Sequence, residues 1–327
     1  MTAERAEPDD ARWMARAIAL GEQARGTTAP NPNVGCVVVK AGTAVGHGTT
    51  QPGGRPHAEA VALAEAGEAA EGATLYTTLE PCAHLSARGP ACADLTIASG
   101  VSRVCIALRD PDPRTAGAGL ARIAAAGIAV DLGVGAADAA RSMAGFLSRV
   151  TRGRPYVTLK LAQSIDGRIA MPDGTSRWIT GEEARAHGHR LRAASDAILV
   201  GRGTFTADAP RLDVRIPGLE NRSPRRCLLT HGAAPAGWTA LADPHDISTL
   251  HDVNDLLVEG GASTAAAFLR ADLVDRMMIY TAPIVIGVGL AGIGDIKLSA
   301  LADAHGRWTR TDGVVLGSDH LDTYLRA

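Results

Sequence analysis

His57, Cys82 and Cys92 supply one imidazole and two thiols, enough for three corners of a zinc tetrahedron with the fourth left for water. A structural site closes that corner with another Cys or His, whereas an open corner lets the metal generate hydroxide near neutral pH. Glu59 follows the histidine by two residues and need not bind metal, so its carboxylate can shuttle protons between the water and a leaving amine. The competing readings are structural zinc, or a solvated helix histidine with incidental cysteines, and His-Ala-Glu alone carries little weight. The interval from Cys82 to Cys92 is wider than Cys-x-x-Cys, so Gly89-Pro90 has to turn the second thiolate back toward the metal.

The surrounding pattern can position these groups. His57 opens an Ala-rich helical run, and residues 73–79 alternate as a strand that stops at Glu80-Pro81-Cys82. Upstream, a helix is expected over 13–24, and Ala29-Pro30-Asn31-Pro32-Asn33 breaks it before a buried strand over 34–39. Asn33 at the mouth of that strand either closes a turn or bonds a substrate edge. A second strand over 44–50 completes a hairpin, and Pro52-Gly53-Gly54-Arg55-Pro56 delivers His57. Downstream come a helix over 93–99, a strand over 103–108, a helix over 117–126, a short strand over 128–132 and a helix over 136–149. This alternation describes a three-layer α/β domain. Asp110-Pro111-Asp112-Pro113 lies past a strand end, where such sheets place ligand contacts, though a solvated turn reads the same way.

A polar stretch with Gly and Pro, Thr151-Arg152-Gly153-Arg154-Pro155, marks a junction, and the alternation then resumes without a second His-Cys-Cys set. Residues 197–204 run from strand into glycine loop, and residues 256–264 do the same before a helix over 265–270. Glycines let backbone approach a phosphate, and helix-start amides attract its charge. Neither loop matches Gly-x-Gly-x-x-Gly or the Walker pattern. Residues 208–215 add Arg211 and Arg215, whose forks suit a phosphate monoester or a surface ion pair.

Composition narrows the classes. The 327 residues suffice for two domains, and 46% hydrophobic with 21% charged residues is a globular balance. A net charge of -2, no long Lys/Arg block and 3% aromatic residues argue against a nucleic-acid partner and for a small substrate. No apolar run is long enough to cross a bilayer, and the polar, acidic N-terminus lacks a signal-peptide core, so a cytoplasmic address is expected. Of the five cysteines, Cys36, Cys105 and Cys227 sit in apolar strand-like runs and are expected in the core, without a disulfide framework.

Taken together, the motifs resemble the bifunctional deaminase-reductase family of riboflavin biosynthesis. The likeness is carried by Pro30-Asn31-Pro32-Asn33-Val34-Gly35, His57-Ala58-Glu59, Thr78-Leu79-Glu80-Pro81-Cys82-Ala83-His84 and Asp110-Pro111-Asp112-Pro113 in the first half. In the second half it rests on residues 159–168, Trp178-Ile179-Thr180, the run from Gly203-Thr204 to Pro210-Arg211-Leu212, and Val258-Glu259-Gly260-Gly261. The resemblance implies a cytidine-deaminase-like three-layer domain over 1–148 and a dihydrofolate-reductase-like α/β domain over 149–327. It implies one zinc ion on His57, Cys82 and Cys92, with Glu59 as the catalytic acid and base. Deamination of a diaminopyrimidinone ribose-phosphate would precede reduction of its ribosyl group to ribityl by NADPH.

By motif, Ala162, Trp178, Thr204, Asp208, Gly261, Ala262, Ser263, Thr264, Ala265, Ala266 and Ala267 would meet NADPH. Asn33, Ser176, Arg192, Leu212, Arg215 and Glu259 would meet the substrate, and a homodimer is expected. The chain departs from the family pattern at Ser86-Ala87-Arg88-Gly89-Pro90-Ala91, at Ala209 where a second acid is usual, and in a shortened region over 217–255, where Thr230 and His231 are candidate cofactor contacts. The alternative is a nucleic-acid base deaminase with a C-terminal binding domain, which would need the basic, aromatic face that the composition lacks.

Overall fold

The computed structural model describes residues 9–84 and 89–327. It divides into two compact units, Met1–Gly153 and Arg154–Ala327. The division falls later than residue 148 because the helix there continues to Arg152 and ends at Gly153, whose φ of 68° is left-handed.

In the first unit, α1 (Asp10–Gln23) precedes β1 (Gly35–Lys40) and β2 (Thr43–Thr49), an antiparallel pair. Next come α2 (Ala58–Ala66), β3 (Thr74–Leu79), α3 (Cys92–Ala98), β4 (Arg103–Leu108), α4 (Ala118–Ala125) and β5 (Ala129–Leu132). The helix expected over 136–149 is two, α5 (Ala136–Ser142) and α6 (Ala144–Arg152), because Met143 leaves helical geometry between them. The sheet order is β2-β1-β3-β4-β5, with β3, β4 and β5 parallel. Glycines on β1 and β2 admit a helix on each face. A Cβ at Gly35 would stand 1.8 Å from the Ala17 carbonyl of α1, and one at Gly48 2.0 Å from the Ala58 carbonyl of α2. The core between the layers contains Met14, Val38, Leu75 and Ile106, all without solvent exposure, and Cys36 and Cys105 lie within it. Asp10 is buried beside it. Asp10 accepts from Arg103 Nη1 and Nη2 at 2.8 and 2.7 Å and from the Tyr76 hydroxyl at 2.8 Å.

The second unit begins with β6 (Tyr156–Ser164), β7 (Arg168–Ala170), α7 (Glu182–Ala193), β8 (Ala197–Gly201) and α8 (Arg202–Asp208). It continues with β9 (Arg225–Leu229), β10 (Trp238–Leu241), β11 (Asp255–Val258), α9 (Ala262–Arg270) and β12 (Arg276–Ala282). The last strands are β13 (Leu290–Ala291), β14 (Trp308–Leu316) and β15 (Asp319–Arg326). Eight strands form one sheet in the order β10-β9-β8-β11-β6-β12-β15-β14. Pairing is parallel from β10 to β12 and antiparallel through β15 and β14, so this unit too is an α/β domain. Cys227 is fully buried in its core. Arg154, the first residue of this unit, donates to Asp275 at 2.7 and 2.8 Å, and Asp275 also accepts the Val157 amide at 2.8 Å. Among the described residues, no helix is long and apolar enough to cross a membrane.

Candidate active sites

Three element ends converge in the first unit. His57 caps the start of α2 in extended conformation, Cys82 follows β3, and Cys92 opens α3. The His57 Nδ1 atom lies 3.6 Å from Cys82 Sγ and 3.3 Å from Cys92 Sγ, and the three ligand atoms lie within 4.8 Å of one another. Zn–N and Zn–S bonds of about 2.0 and 2.3 Å at a tetrahedral angle separate nitrogen and sulfur by about 3.5 Å, so the cluster fits zinc. The Cys92 amide donates to Cys82 Sγ at 3.3 Å, which seats the two cysteines together across their long interval. The Cys92 thiol beside it, helped by the His57 imidazole and opposed by burial, draws the Cys82 thiol down to about 4, favouring the thiolate that binds metal. Ser86, Ala87 and Arg88 of the intervening loop lie outside the described residues.

Glu59, on the first turn of α2, is 3% exposed. Burial pushes its carboxyl up to about 7, with the His57 charge as the leading counterweight. A group so poised exchanges protons at neutral pH. Asn33 is also buried, and its amide nitrogen is spent on the Gly21 carbonyl at 3.2 Å and on Ser142 Oγ at 3.2 Å. It ties the mouth of β1 to α1 and α5.

Glu80, which the sequence reading passes over, organises the neighbourhood. Its carboxylate accepts the amides of Gly117 at 2.9 Å, Gly119 at 3.0 Å, Leu120 at 3.1 Å and Asp110 at 3.2 Å. The loop after β4 and the start of α4 are thereby fixed beside Pro81-Cys82. An acid between a strand and a Pro-Cys pair was the available signal. In the same loop burial raises the Asp110 carboxyl to about 6, and its Oδ1 accepts the Asp112 amide at 2.9 Å.

The second unit holds a cleft of about 960 Å³. Ala162 on β6, Trp178, Thr204 and Asp208 on α8, and Gly261, Ala262, Ser263 and Thr264 at the start of α9 line it. Ser176, Arg192, Leu212, Arg215 and Glu259 line it as well. Arg192 Nε and Nη2 grip Glu259 at 2.8 and 2.9 Å. Burial alone would raise Glu259, but Arg192 with help from Lys160 holds it at about 2. Leu212 meets the cleft from the core side. Its side chain is 5% exposed among Ile198, Val200, Leu228 and Leu257, which leaves its main chain as the polar group it can offer. Arg215 Nε lies 3.5 Å from Asp213 Oδ1, so its charge is shared with an ion pair.

Ala265 and Ala266 do not line the cleft. They are 0% and 2% exposed, on the face of α9 turned to the core, while Ala267 lines a smaller hollow of about 400 Å³ with Thr230, His231 and Arg270. The glycines of the two loops serve packing first. A Cβ at Gly201 would stand 2.1 Å from Thr264 Oγ1 and one at Gly260 2.4 Å from Thr264 Cβ, whereas Gly261 keeps ordinary clearance. Lys160, on the cleft wall, was also missed. Loss of water around it lowers its pKa, opposed by Glu259, and a lone charge within an apolar strand was its signal in the sequence.

Residues 7–108 match the model of the cytidine and deoxycytidylate deaminase zinc-binding region, and residues 155–239 and 246–316 match that of the RibD C-terminal domain. The riboflavin biosynthesis protein RibD of Escherichia coli (strain K12) is 40% identical over 90% of this chain and 94% of its own. The chain belongs to the RibD family. RibD of Mycobacterium tuberculosis (strain H37Rv) is also 40% identical, over 94% of this chain and 95% of its own. Solved structures agree. Acinetobacter baumannii RibD superposes with a TM-score of 0.88 at 35% identity, covering 98% of this chain and 99% of that one. A diaminohydroxyphosphoribosylaminopyrimidine deaminase/5-amino-6-(5-phosphoribosylamino)uracil reductase from Thermotoga maritima gives 0.86 at 30% identity, covering 97% and 99%. As a RibD protein, the chain is a bifunctional enzyme of riboflavin biosynthesis, with a zinc-binding deaminase domain followed by a reductase domain.

Proposed function

We propose that the first unit deaminates 2,5-diamino-6-(ribosylamino)pyrimidin-4-one 5'-phosphate and that the second reduces the ribosyl group of the product to ribityl with NADPH. The supporting observation is Glu59, a buried carboxyl poised near neutrality beside the His57, Cys82 and Cys92 ligand set, in a chain whose other unit bears a reductase cleft. The Thermotoga maritima relative carries both activities in its name.

His57, Cys82 and Cys92 hold the zinc ion, which when bound lowers the pKa of water and acts as a Lewis acid. Glu59 accepts a proton from the attacking water and hands it to the pyrimidine ring nitrogen; it then takes the remaining proton of the newly added hydroxyl, as the carbonyl forms, and delivers it to the amine, which departs as ammonia. Asn33 presents its amide oxygen, its nitrogen being committed internally.

In the second unit NADPH supplies the reducing equivalents. Ala162, Trp178, Thr204, Asp208 and residues 261–264 would form its binding surface, where the amides at the start of α9 would favour its anionic groups. Ser176, Arg192, Arg215, Glu259 and the main chain of Leu212 receive the substrate. Because Glu259 stays ionised, it accepts hydrogen bonds from ribose hydroxyls without drifting in charge. The domains act over 1–153 and 154–327, in a cytoplasmic homodimer.

The test is NADPH oxidation with the diaminopyrimidinone ribose-phosphate, using zinc-loaded and zinc-stripped protein, repeated with the deaminated compound. Stripping zinc stops oxidation with the first substrate and spares it with the second. If neither compound oxidises NADPH, the reductase reading fails. If stripping leaves the first substrate's rate unchanged, the zinc deaminase reading fails.

A further inference from the structure

Arg55 is a cation beside the His57 ligand that the mechanism leaves unused. It stands two residues before His57, at the end of a short helical turn over Pro52–Gly54. That turn is pinned on several sides. The Gly53 amide donates to the Thr27 carbonyl at 3.0 Å and the Gln51 amide to the Pro56 carbonyl at 3.0 Å. Gly54 packs so closely that a Cβ there would lie 1.9 Å from Asn31 Nδ2. Arg55 is therefore presented by a rigid support.

Its guanidinium reaches the loop that returns Cys92. One terminal nitrogen lies 3.4 Å from where a Cβ on Gly89 would be. Yet no described acid pairs with it, and its Nε is buried without a hydrogen-bond partner. Other arginines of the first unit differ. Arg103 is taken by Asp10 and Asp131, Arg114 by Asp112 and Arg122 by Asp94, while Arg109 donates to the Ala116 carbonyl at 2.8 Å. A cation near a metal-binding histidine, with no acid of its own, is unfavourable until an anion arrives. A guanidinium fork is matched to a phosphate monoester, which carries nearly two charges at neutral pH.

We infer that Arg55 is the phosphate-recognising residue of the deaminase site, holding the 5'-phosphate of the ribosylaminopyrimidine at the rim between residues 55 and 89. The phosphate is at the far end of the substrate from the reacting amine, so its anchor belongs on the rim and not among the metal ligands. This rests on the deaminase reading above, and it makes Arg55 responsible for the preference for phosphorylated over dephosphorylated substrate.

The experiment compares wild type, Arg55→Ala and Arg55→Lys on the diaminopyrimidinone ribose-phosphate and its dephosphorylated form, with zinc content and Tm recorded for each. Arg55→Ala is expected to raise KM for the phosphorylated substrate about 10- to 100-fold with kcat little changed, while the dephosphorylated form reacts as in wild type. Arg55→Lys restores part of the loss. Equal losses on both substrates, or none on the phosphorylated one, overturn the inference while leaving the deaminase reading intact. Inactivity of zinc-loaded wild type on both substrates counts against the deaminase reading instead. A second measurement needs no turnover: ribose 5-phosphate should slow phenylglyoxal modification of the Arg55 peptide, read by mass spectrometry, and absence of protection also overturns the inference.

Discussion

Glu59 in the first unit and Glu259 in the second are carboxylates held away from water, Glu59 being 3% exposed and the Glu259 side chain 10%. They titrate on opposite sides of the ordinary carboxylate range, at about 7 and about 2. Burial pushes both upward. What separates them is the opposing charge. Glu59 has a single imidazole as its main counterweight, whereas Glu259 is gripped by both arms of Arg192 and feels Lys160. One carboxyl is arranged to exchange a proton, the other to keep a fixed charge. The contrast fits a hydrolytic step that moves protons and a reductive step in which the cofactor carries the chemistry.

The largest effect should come from the exchangeable carboxyl. Glu59→Gln keeps the shape of the side chain but cannot take up a proton, so deamination should fall by about 10²- to 10⁴-fold, with zinc content and reduction of the deaminated compound unchanged. A residual rate near that of wild type would erase the functional side of the comparison.

The fixed charge is tested through its partner. Arg192→Met leaves Glu259 buried without its fork and should destabilise the second unit by about 3–5 kcal/mol in urea unfolding. A loss below about 1 kcal/mol would mean that the pair behaves as an exposed one.

Acidity should then separate the two groups by sign. The depressed pKa of Glu259 gives stability that is present above the unfolded value of 4.5 and lost as pH falls toward about 2, on the order of 3 kcal/mol. Glu259→Gln should flatten that acid limb. The raised pKa of Glu59 acts the other way in zinc-free protein, giving stability that is present below 4.5 and lost as pH rises through about 7. Zinc-free Glu59→Gln should therefore tolerate pH 8 better than zinc-free wild type, read as Tm across the pH range.

The smallest effect concerns backbone. Ala209 ends α8 with φ 41° and ψ 54°, the left-handed region that favours Gly, Asn and Asp over Ala. This gives a physical reason for the acid usual at that position. Ala209→Asn should raise stability by about 0.5–1 kcal/mol without shifting either carboxylate.

Legibility in the sequence followed how local each signal was. His57, Glu59, Cys82 and Cys92 could be read because each sits at an element end marked by helix or strand periodicity, and the order of elements through β6 was evident for the same reason. Glu80 was not legible as a clamp, since its four amide partners come from residues 110–120 and only the fold brings them in. In the second unit a motif run covers both faces of a helix, so residues 261–267 could not be sorted into those lining the cleft and those, Ala265 and Ala266, facing the core. The terminal hairpin escaped notice because β14 is mostly exposed and lacks the alternation that marks a half-buried strand. Residues 202–204 read as the end of a glycine loop because Gly203 and Thr204 are weak helix formers, yet they open α8.

The Arg154 contact with Asp275 bears on how the enzyme could be cut in two. Although Arg154 falls in a stretch that reads as linker, its guanidinium closes onto an acid that also accepts the Val157 amide near the start of β6. A reductase fragment begun at Tyr156 would lack the positive charge around which that corner is folded, while one begun at Arg154 would retain it. Two residues at a cloning boundary thus decide whether the separated half keeps its own fastening.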